Sequence, residues 1–238
     1  MSADYVALIR QALPDVEVVN AGVNLELSSG LVSRLGALTE HQPDVACVLT
    51  GTNNVRYALD EHDAERLRRR WQLTDTPSPA SYRDDLRTIA GRLRETGARV
   101  ALSSLPVIGE VLDSEPVRRA AEYSSVVREV AAEQQVGYLP LHERMVAFLE
   151  RHPAVPATRF RPGRYLVTTA ALQNFLLRRS FDAISRSRGL QLTTDTIHLN
   201  GRGAAMLAEL AIAWCGSMAP GIMAEDAKSR ASRRASAT

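Results

Sequence analysis

Short apolar runs of strand length alternate with longer amphipathic stretches along this chain. The run from Val45 to Leu49 is apolar throughout, which is typical of a parallel strand that is buried on both faces. A similar run spans Arg99 to Leu105, and the stretches Ser81 to Thr96 and Glu115 to Gln134 repeat apolar residues at helical spacing. This alternation predicts right-handed βαβ crossovers, and therefore an α/β protein with a parallel sheet between two layers of helices.

Two shorter runs complete the predicted sheet, at Val16 to Asn20 and at Val136 to Leu139. The 238 residues suit one domain with a sizeable core, which we place at residues 1–216. The tail at 217–238 is small, polar and basic, and we expect it to be disordered. Further helices are predicted at Ala3 to Leu13, Ser29 to Leu38 (with Ser28 or Ser29 as its cap), Asp60 to Trp71, His142 to His152, Leu166 to Ser187 and Arg202 to Trp214.

The composition argues against several classes of protein. A formal net charge of +2 gives no reason to expect a nucleic-acid partner. No apolar run is long enough to span a bilayer and the N-terminus lacks a signal sequence, so we expect a cytoplasmic protein if Met1 is the true start. Cys47 and Cys215 each lie in an apolar run, which favours buried thiols over a disulfide or a metal site. Neither a Walker loop nor a GxGxxG fingerprint is present, and we expect no cofactor.

Polar residues follow the predicted strands at the positions where parallel sheets bind ligands. Asn20 ends one strand, and Gly51-Thr52-Asn53-Asn54 follows another at once. Ligands of such sheets bind outside the carboxyl ends of the strands, so these side chains are candidate site residues. A turn after a strand would use the same residue types without any functional role, and both interpretations stay open on this evidence.

An acid and a histidine lie three residues apart in Asp195-Thr196-Ile197-His198. An amphipathic stretch begins soon afterwards at Arg202, so His198 should lie on a loop just before a helix. A carboxylate beside an imidazole can orient the ring and stabilise its protonated form, as in a Ser-His-Asp triad. For His198 taken alone, a surface or capping histidine is the simpler interpretation.

Three stretches together resemble motifs of the SGNH (GDSL-type) hydrolases, a family of esterases, lipases and acyltransferases. Val18 to Asn24 looks like the second block of that family, Val48 to Asn54 like the third, and Asp195 to Asn200 like the fifth. Their order, spacing and strand context agree with the family from about Asp4 to Trp214. The resemblance implies a three-layer α/β/α sandwich, flavodoxin-like, and hydrolysis of an ester, or acyl transfer, through a serine acyl-enzyme.

The resemblance also implies a role for four residues. His198 would be the general base, and Asp195 the carboxylate that orients it. Asn53 would donate its side-chain amide to the oxyanion, and Leu25 would donate a backbone N–H from the position where the family has glycine. Asn54 stands where the family usually has aspartate. No metal or cofactor is implied, the partner would be a small-molecule or lipid ester, and the oligomeric state stays open.

The first block of the family, a strand that ends in Gly-Asp-Ser, is not found in this sequence. It should come before the helix that begins near Ala3, where only Met1-Ser2 precede. No nucleophile is therefore identified. The missing strand would be central in the sheet, so we expect this chain to be inactive and to fold poorly alone. Ser103 and Ser104 end a predicted strand, but nothing in the local sequence makes a nucleophile turn there.

Two main hypotheses follow from the resemblance and its departures. In the first, the gene encodes a serine esterase, and a start codon assigned too late has cut off its N-terminus. The presence of Asp195, His198 and Asn53 together favours this hypothesis. In the second, the chain is a non-catalytic binding protein that lost its nucleophile, which Leu25 and Asn54 favour a little. A flavodoxin-like ligand-binding module without esterase ancestry is a third, weaker hypothesis.

Overall fold

Three parallel strands form the sheet in the computed structural model, which describes residues 3–73, 76–152, 156–161 and 165–217. They are β1 (Val45–Val48), β2 (Arg99–Ser103) and β3 (Gly137–Leu139), and they pair in that order. Both pairings are parallel, and the first places Cys47 beside Ala101. The predicted α/β class with a parallel sheet is confirmed.

Helices connect the strands and cover the sheet. The predicted helix from Leu166 to Ser187 is in fact two helices, because Arg178 adopts a φ of 49° and ends the first of them. The helices are α1 (Tyr5–Ala12), α2 (Ser28–Ser33), α3 (Leu35–Thr39), α4 (Thr52–Leu59), α5 (Glu61–Trp71), α6 (Pro79–Glu95), α7 (Glu115–Glu133), α8 (Leu141–Arg151), α9 (Tyr165–Leu177), α10 (Phe181–Ser187) and α11 (201–217).

The sheet lies between two sets of buried apolar side chains. Val100 and Leu102 of β2 belong to the same cluster as Leu86 of α6 and the aromatic residues that line α6 and α7. Ala101, which lies between them on β2, packs instead with Ala211 of α11. Because successive side chains of a strand point to opposite faces, this alternation places helices on both sides of the sheet. The core therefore has the three layers that the sequence predicts.

The prediction of a strand from Val16 to Asn20 was wrong, because this segment has no regular secondary structure. Val16 and Val19 are 42% and 52% exposed. A strand needs a partner for its backbone N–H and C=O groups. Within the described ranges, β1 and β3 each pair with β2 alone, so this segment pairs with no strand of the sheet.

Two smaller predictions were also wrong. Cys47 and Cys215 are free thiols, but Cys47 is exposed and Cys215 is half-buried. Cys47 lies on β1, whose outer edge faces no other strand in the described part of the chain. Ser28 does not cap α2, because Leu27 holds the N-cap position and Ser28 is buried in the first turn of the helix.

The predicted tail at 217–238 lies outside the described residues from position 218 onward. None of the described helices combines the length and the apolar character that a membrane crossing requires. Over the same residues, no group of three or more histidine, cysteine, aspartate or glutamate side chains is placed to hold a metal ion.

Candidate active site

The loop that carries Asp195 and His198 lies at the carboxyl edge of the sheet. Ile197 belongs to the buried cluster around α6 and α7, which includes Leu105 just after β2. Leu199 belongs to the cluster around α8 and α11, and Leu49, the residue after β1, packs against that cluster. Since its two neighbours join clusters on opposite faces, His198 lies at the end of β1 and β2, where parallel sheets bind ligands.

One buried carboxylate holds the backbone that leads into this loop. Glu110 is 5% exposed, and it accepts hydrogen bonds from the backbone N–H groups of residues 191–193 at 2.6–2.9 Å. It also accepts the hydroxyl of Thr193 at 2.7 Å. The adjacent Gly109 donates its N–H to the carbonyl oxygen of Thr196 at 2.7 Å. The segment after β2 therefore fixes the backbone on both sides of the acid. The role of Glu110 cannot be predicted from the sequence, because a single glutamate has no spacing to a partner that would identify it.

Asp195 and His198 form the contact that the sequence predicts. His198 Nδ1 and Asp195 Oδ2 are 2.8 Å apart. The other carboxylate oxygen accepts the backbone N–H groups of Ile197 at 3.2 Å and His198 at 2.8 Å. Burial opposes ionisation of Asp195, but these hydrogen bonds and the nearby imidazole together lower the pKa of its carboxyl below the usual value. The carboxylate is therefore charged at neutral pH.

The imidazole turns its second nitrogen away from Asp195. The side chain of His198 is 30% exposed, and Nε2 makes no hydrogen bond with any residue that the structure describes. Because Nδ1 faces the carboxylate, the hydrogen-bond network assigns the proton of the neutral ring to Nδ1 and a lone pair to Nε2. A lone pair at a solvent-facing nitrogen is what a general base requires.

Backbone strain accompanies this turn. Thr196 has a φ of 73°, in the left-handed region that β-branched residues rarely adopt. Such a conformation costs on the order of 1–3 kcal/mol and is found most often at functional sites. The strained turn brings two successive N–H groups, those of Ile197 and His198, onto one oxygen of Asp195.

The two predicted oxyanion residues lie on adjoining segments. Asn53, in the first turn of α4, donates one Nδ2 hydrogen to the carbonyl oxygen of Glu26 at 3.0 Å. Leu25, which directly precedes Glu26, has a φ of 65°, in the region that favours glycine. The structure therefore brings Asn53 and Leu25 together at the edge where β1 ends. Among the described residues, no hydrogen bond joins either of them to His198.

The hydrogen bonds of Asn54 explain why this chain has asparagine at a position where the SGNH motif usually has aspartate. Asn54 is 2% exposed, accepts the N–H of Ser28 at 3.1 Å and donates from Nδ2 to the Ser28 hydroxyl at 2.8 Å. That hydroxyl in turn donates to a carboxylate oxygen of Asp85 at 2.5 Å. An aspartate at position 54 could not supply the Nδ2 donor, so the amide matches this partner set and a carboxylate does not.

No serine among the described residues forms a hydrogen bond with His198. Ser103 and Ser104 are 2% and 0% exposed, at and just after the end of β2. Ser103 donates to the carbonyl oxygen of Ser104, and Ser104 donates to the carboxylate of Glu143 at 3.0 Å. Both hydroxyl groups are therefore hydrogen-bonded in the interior of the protein. Ser2 lies outside the described residues.

Comparison with protein families agrees with this fold. The model of the GDSL-like lipase/acylhydrolase family matches residues 2–206. The chain belongs to this family. The membership that the three motifs predict, in the SGNH (GDSL-type) hydrolases, is thereby confirmed. A comparison with curated protein sequences finds no match.

Solved structures of this GDSL-like protein's relatives share its fold. AlAXEase, an acetyl xylan esterase, is 17% identical, with a TM-score of 0.62 over 89% of both chains. LAE5, an alpha/beta hydrolase enzyme from the metagenome of Lake Arreo in Spain, is 20% identical, with a TM-score of 0.63 over 89% of this chain and 81% of that one. Axe2, an acetylxylan esterase from Geobacillus stearothermophilus, is 18% identical, with a TM-score of 0.62 over 88% of this chain and 80% of that one.

Proposed function

We propose that this protein hydrolyses an ester bond of a small molecule or lipid through a serine acyl-enzyme, with His198 as the general base. The observation that carries the proposal is the 2.8 Å contact between His198 Nδ1 and the buried Asp195, with Nε2 turned outward. The solved relatives support it. Catalytic mutants of Axe2 replace a serine, an aspartate and a histidine by alanine, and the last two lie three residues apart, as Asp195 and His198 do.

In this reaction His198 Nε2 takes the proton of the attacking hydroxyl, whose oxygen bonds to the ester carbonyl carbon. Asp195 stabilises the imidazolium that results, and the ring then gives the proton to the leaving alcohol. Water releases the acyl group by the same two proton transfers. The second Nδ2 hydrogen of Asn53 and the N–H of Leu25 would bind the oxyanion, a type of contact worth ~10²–10³ in rate.

The nucleophile is the part of the proposal that the described residues do not supply. We place it on a Gly-Asp-Ser strand upstream of Met1, paired with the outer edge of β1. Support comes from that edge, which pairs with no described strand, and from Cys47, whose side chain is exposed in the middle of an apolar strand.

A non-catalytic binding protein of the same fold is the second candidate function, and Leu25 favours it. A left-handed backbone costs a non-glycine residue about 1–2 kcal/mol. The leucine also packs against the cluster formed by Leu27, Tyr57 and Leu67. A chain that no longer stabilises an oxyanion can keep such a leucine at no functional cost.

Labelling with a serine-reactive fluorophosphonate, read by intact mass spectrometry, tests the proposal. The 238-residue chain is compared with the same chain extended by the in-frame residues encoded upstream of Met1. We expect the extended chain to take one label and to hydrolyse p-nitrophenyl acetate, and we expect the shorter chain to do neither. His198→Ala in the extended chain should abolish labelling and lower kcat by at least ~10³-fold.

His62→Ala is the matched control, since His62 is an exposed histidine on α5, and it should change neither readout. Circular dichroism tests whether each chain is folded. A folded extended chain that takes no label would overturn the proposal in favour of the binding protein. A label on the shorter chain would overturn the placement of the nucleophile.

A further inference from the structure

Helix α9 turns an apolar face toward water. The face consists of Tyr165, Leu172, Phe175 and Leu176, which are 68%, 57%, 81% and 70% exposed. Their spacing of 7, 10 and 11 residues from Tyr165 places all four on one side of a helix with 3.6 residues per turn. Ala170, on the opposite side, is buried. Four large exposed side chains on one helix make a contiguous patch of the kind that marks an interaction surface.

The charge around this face is strongly positive. Residues 159–188 contain seven arginines and one acidic residue, Asp182, whereas the whole chain has a formal net charge of only +2. Arg161, Arg178 and Arg186 are exposed, and Arg178 directly follows α9. Arg186 lies on α10, which packs against α9. Exposed cations therefore lie on the segments that adjoin α9.

We propose that the apolar face of α9 docks on an anionic lipid surface. An apolar helix face with exposed arginines on adjoining segments suits a membrane interface, where apolar side chains enter the acyl boundary and cations meet anionic headgroups. With 13 residues, α9 is shorter than the ~20 residues that a crossing needs, so it would lie in the plane of the surface.

A second copy of the chain fits this face less well. In a two-fold dimer the same patch meets itself, which would place the arginines of one copy against those of the other. Asp182 is the one acidic residue of the region, and its carboxylate already accepts the N–H of Gly201 at 2.8 Å. Charge complementarity therefore favours a negatively charged surface as the occupant.

Docking through α9 would also place the candidate active site beside the lipid. The guanidinium of Arg188 donates to the carbonyl oxygens of Leu166 and Thr194 at 3.1 and 3.0 Å and to the hydroxyl of Thr169 at 2.8 Å. It thereby ties the first turns of α9 to the residue that precedes Asp195. The inference goes beyond the proposed function and does not depend on it, because binding to a surface requires no catalysis.

Sedimentation with sucrose-loaded vesicles tests the proposal on the 238-residue chain. Vesicles of phosphatidylcholine are compared with vesicles in which about a third of the lipid is phosphatidylglycerol, an anionic lipid. We expect at least tenfold tighter binding to the anionic vesicles. Raising the ionic strength from about 0.1 M to about 1 M shortens the screening length from ~10 Å to ~3 Å, and should remove most of that preference.

Two variants separate the apolar contribution from the charge. Phe175→Ser with Leu176→Ser should weaken binding at least tenfold, and Arg178→Gln about fivefold. The matched control is Val16→Ser with Val19→Ser, which alters exposed valines elsewhere and should bind as the unaltered chain does. All five residues are exposed, so thermal melts should show the same stability for the three variants and the parent.

Three results would overturn the proposal. The first is equal binding, or none, to the neutral and the anionic vesicles. The second is binding that persists when Phe175 and Leu176 are replaced by serine. The third is a stable dimer in analytical ultracentrifugation that the same double variant dissociates, which would assign the apolar face of α9 to a second copy.

Discussion

Asn54→Asp replaces one amide by a carboxylate and should destabilise the protein substantially. In the structure the Asn54 amide donates to the Ser28 hydroxyl, whose single hydrogen is committed to Asp85. A carboxylate at position 54 would face that hydroxyl oxygen with no hydrogen between them, and would add a second negative charge to a buried cluster. Losing the hydrogen bond costs about 1 kcal/mol and the unpaired buried charge about 2 kcal/mol more, so we expect a loss of about 3 kcal/mol.

The same geometry predicts that Asp85→Asn rescues Asn54→Asp. In the double variant, the new amide at position 85 donates to the Ser28 hydroxyl, and the hydroxyl donates to the new carboxylate at position 54. The chain of hydrogen bonds then runs in the opposite direction, with the hydroxyl paired on both sides. We expect the double variant to recover about 2 kcal/mol relative to the sum of the two single variants, which is a coupling typical of residues in one network.

Urea unfolding followed by circular dichroism measures these free energies, provided that the slope with urea is the same for all four chains. Burial raises the pKa of Asp85 in the unaltered chain. A second carboxylate should raise it further, so the cost of Asn54→Asp should be full at pH 7 and should shrink as the pH falls toward about 4, where one carboxyl is protonated. An unchanged urea midpoint for Asn54→Asp, or a double variant no more stable than additivity predicts, would refute the reasoning.

Three other substitutions test contacts at the same edge of the sheet. Gly51→Ala should cost at least about 2 kcal/mol in urea unfolding, since at a φ of 115° the new Cβ would lie 2.6 Å from the Tyr82 hydroxyl. Glu110→Gln should cost about 2 kcal/mol and speed amide hydrogen exchange at residues 191–193, because an amide cannot accept all four hydrogen bonds. The lowered pKa of Asp195 means that its carboxylate stabilises the parent protein above about pH 4, and that this stability is lost as the pH falls through the lowered pKa. Asp195→Asn should remove this contribution, so the difference in stability between parent and variant should shrink in acid.

Each of these variants has a matched control in the chain. Gly91→Ala lies in α6 where an added Cβ meets nothing within 4 Å, and it should not destabilise the protein. Glu150→Gln and Asp15→Asn alter exposed acids and should leave the urea midpoint and the acid profile unchanged. If Gly91→Ala costs as much as Gly51→Ala, or Asp15→Asn removes as much pH dependence as Asp195→Asn, the local explanations fail.

The parts of the structure that sequence could predict are those whose signal is local. The prediction that β1 is buried on both faces was wrong, because its four residues are half-buried or exposed. Its apolar run nevertheless identifies a strand without reference to any other residue, and the spacing of Asp195 and His198 brings carboxylate and ring together across one turn. Both expectations agree with the structure. Their catalytic roles stay predictions, to be decided by labelling and kinetics.

The parts that sequence could not predict depend on distant segments. The run from Val16 to Asn20 has the pattern of a strand, but a strand forms only beside a partner, and that depends on the rest of the sheet. Glu110 contacts backbone that lies more than 80 positions further along the chain, so no spacing reveals it. The strain at Leu25 is likewise visible only in its backbone angle, although the resemblance had drawn attention to that position.

The three hydrogen bonds of Arg188 have a thermodynamic consequence. They join α9 to Thr194, so if lipid binding at α9 alters these hydrogen bonds, the two ends are energetically coupled. Suppose that vesicle binding raises the affinity of the His198 site for an ester analogue by some factor. By linkage, the analogue then raises the affinity for the vesicle by the same factor. An affinity measured at the lipid surface would then report whether the His198 site is occupied, without direct observation of that site.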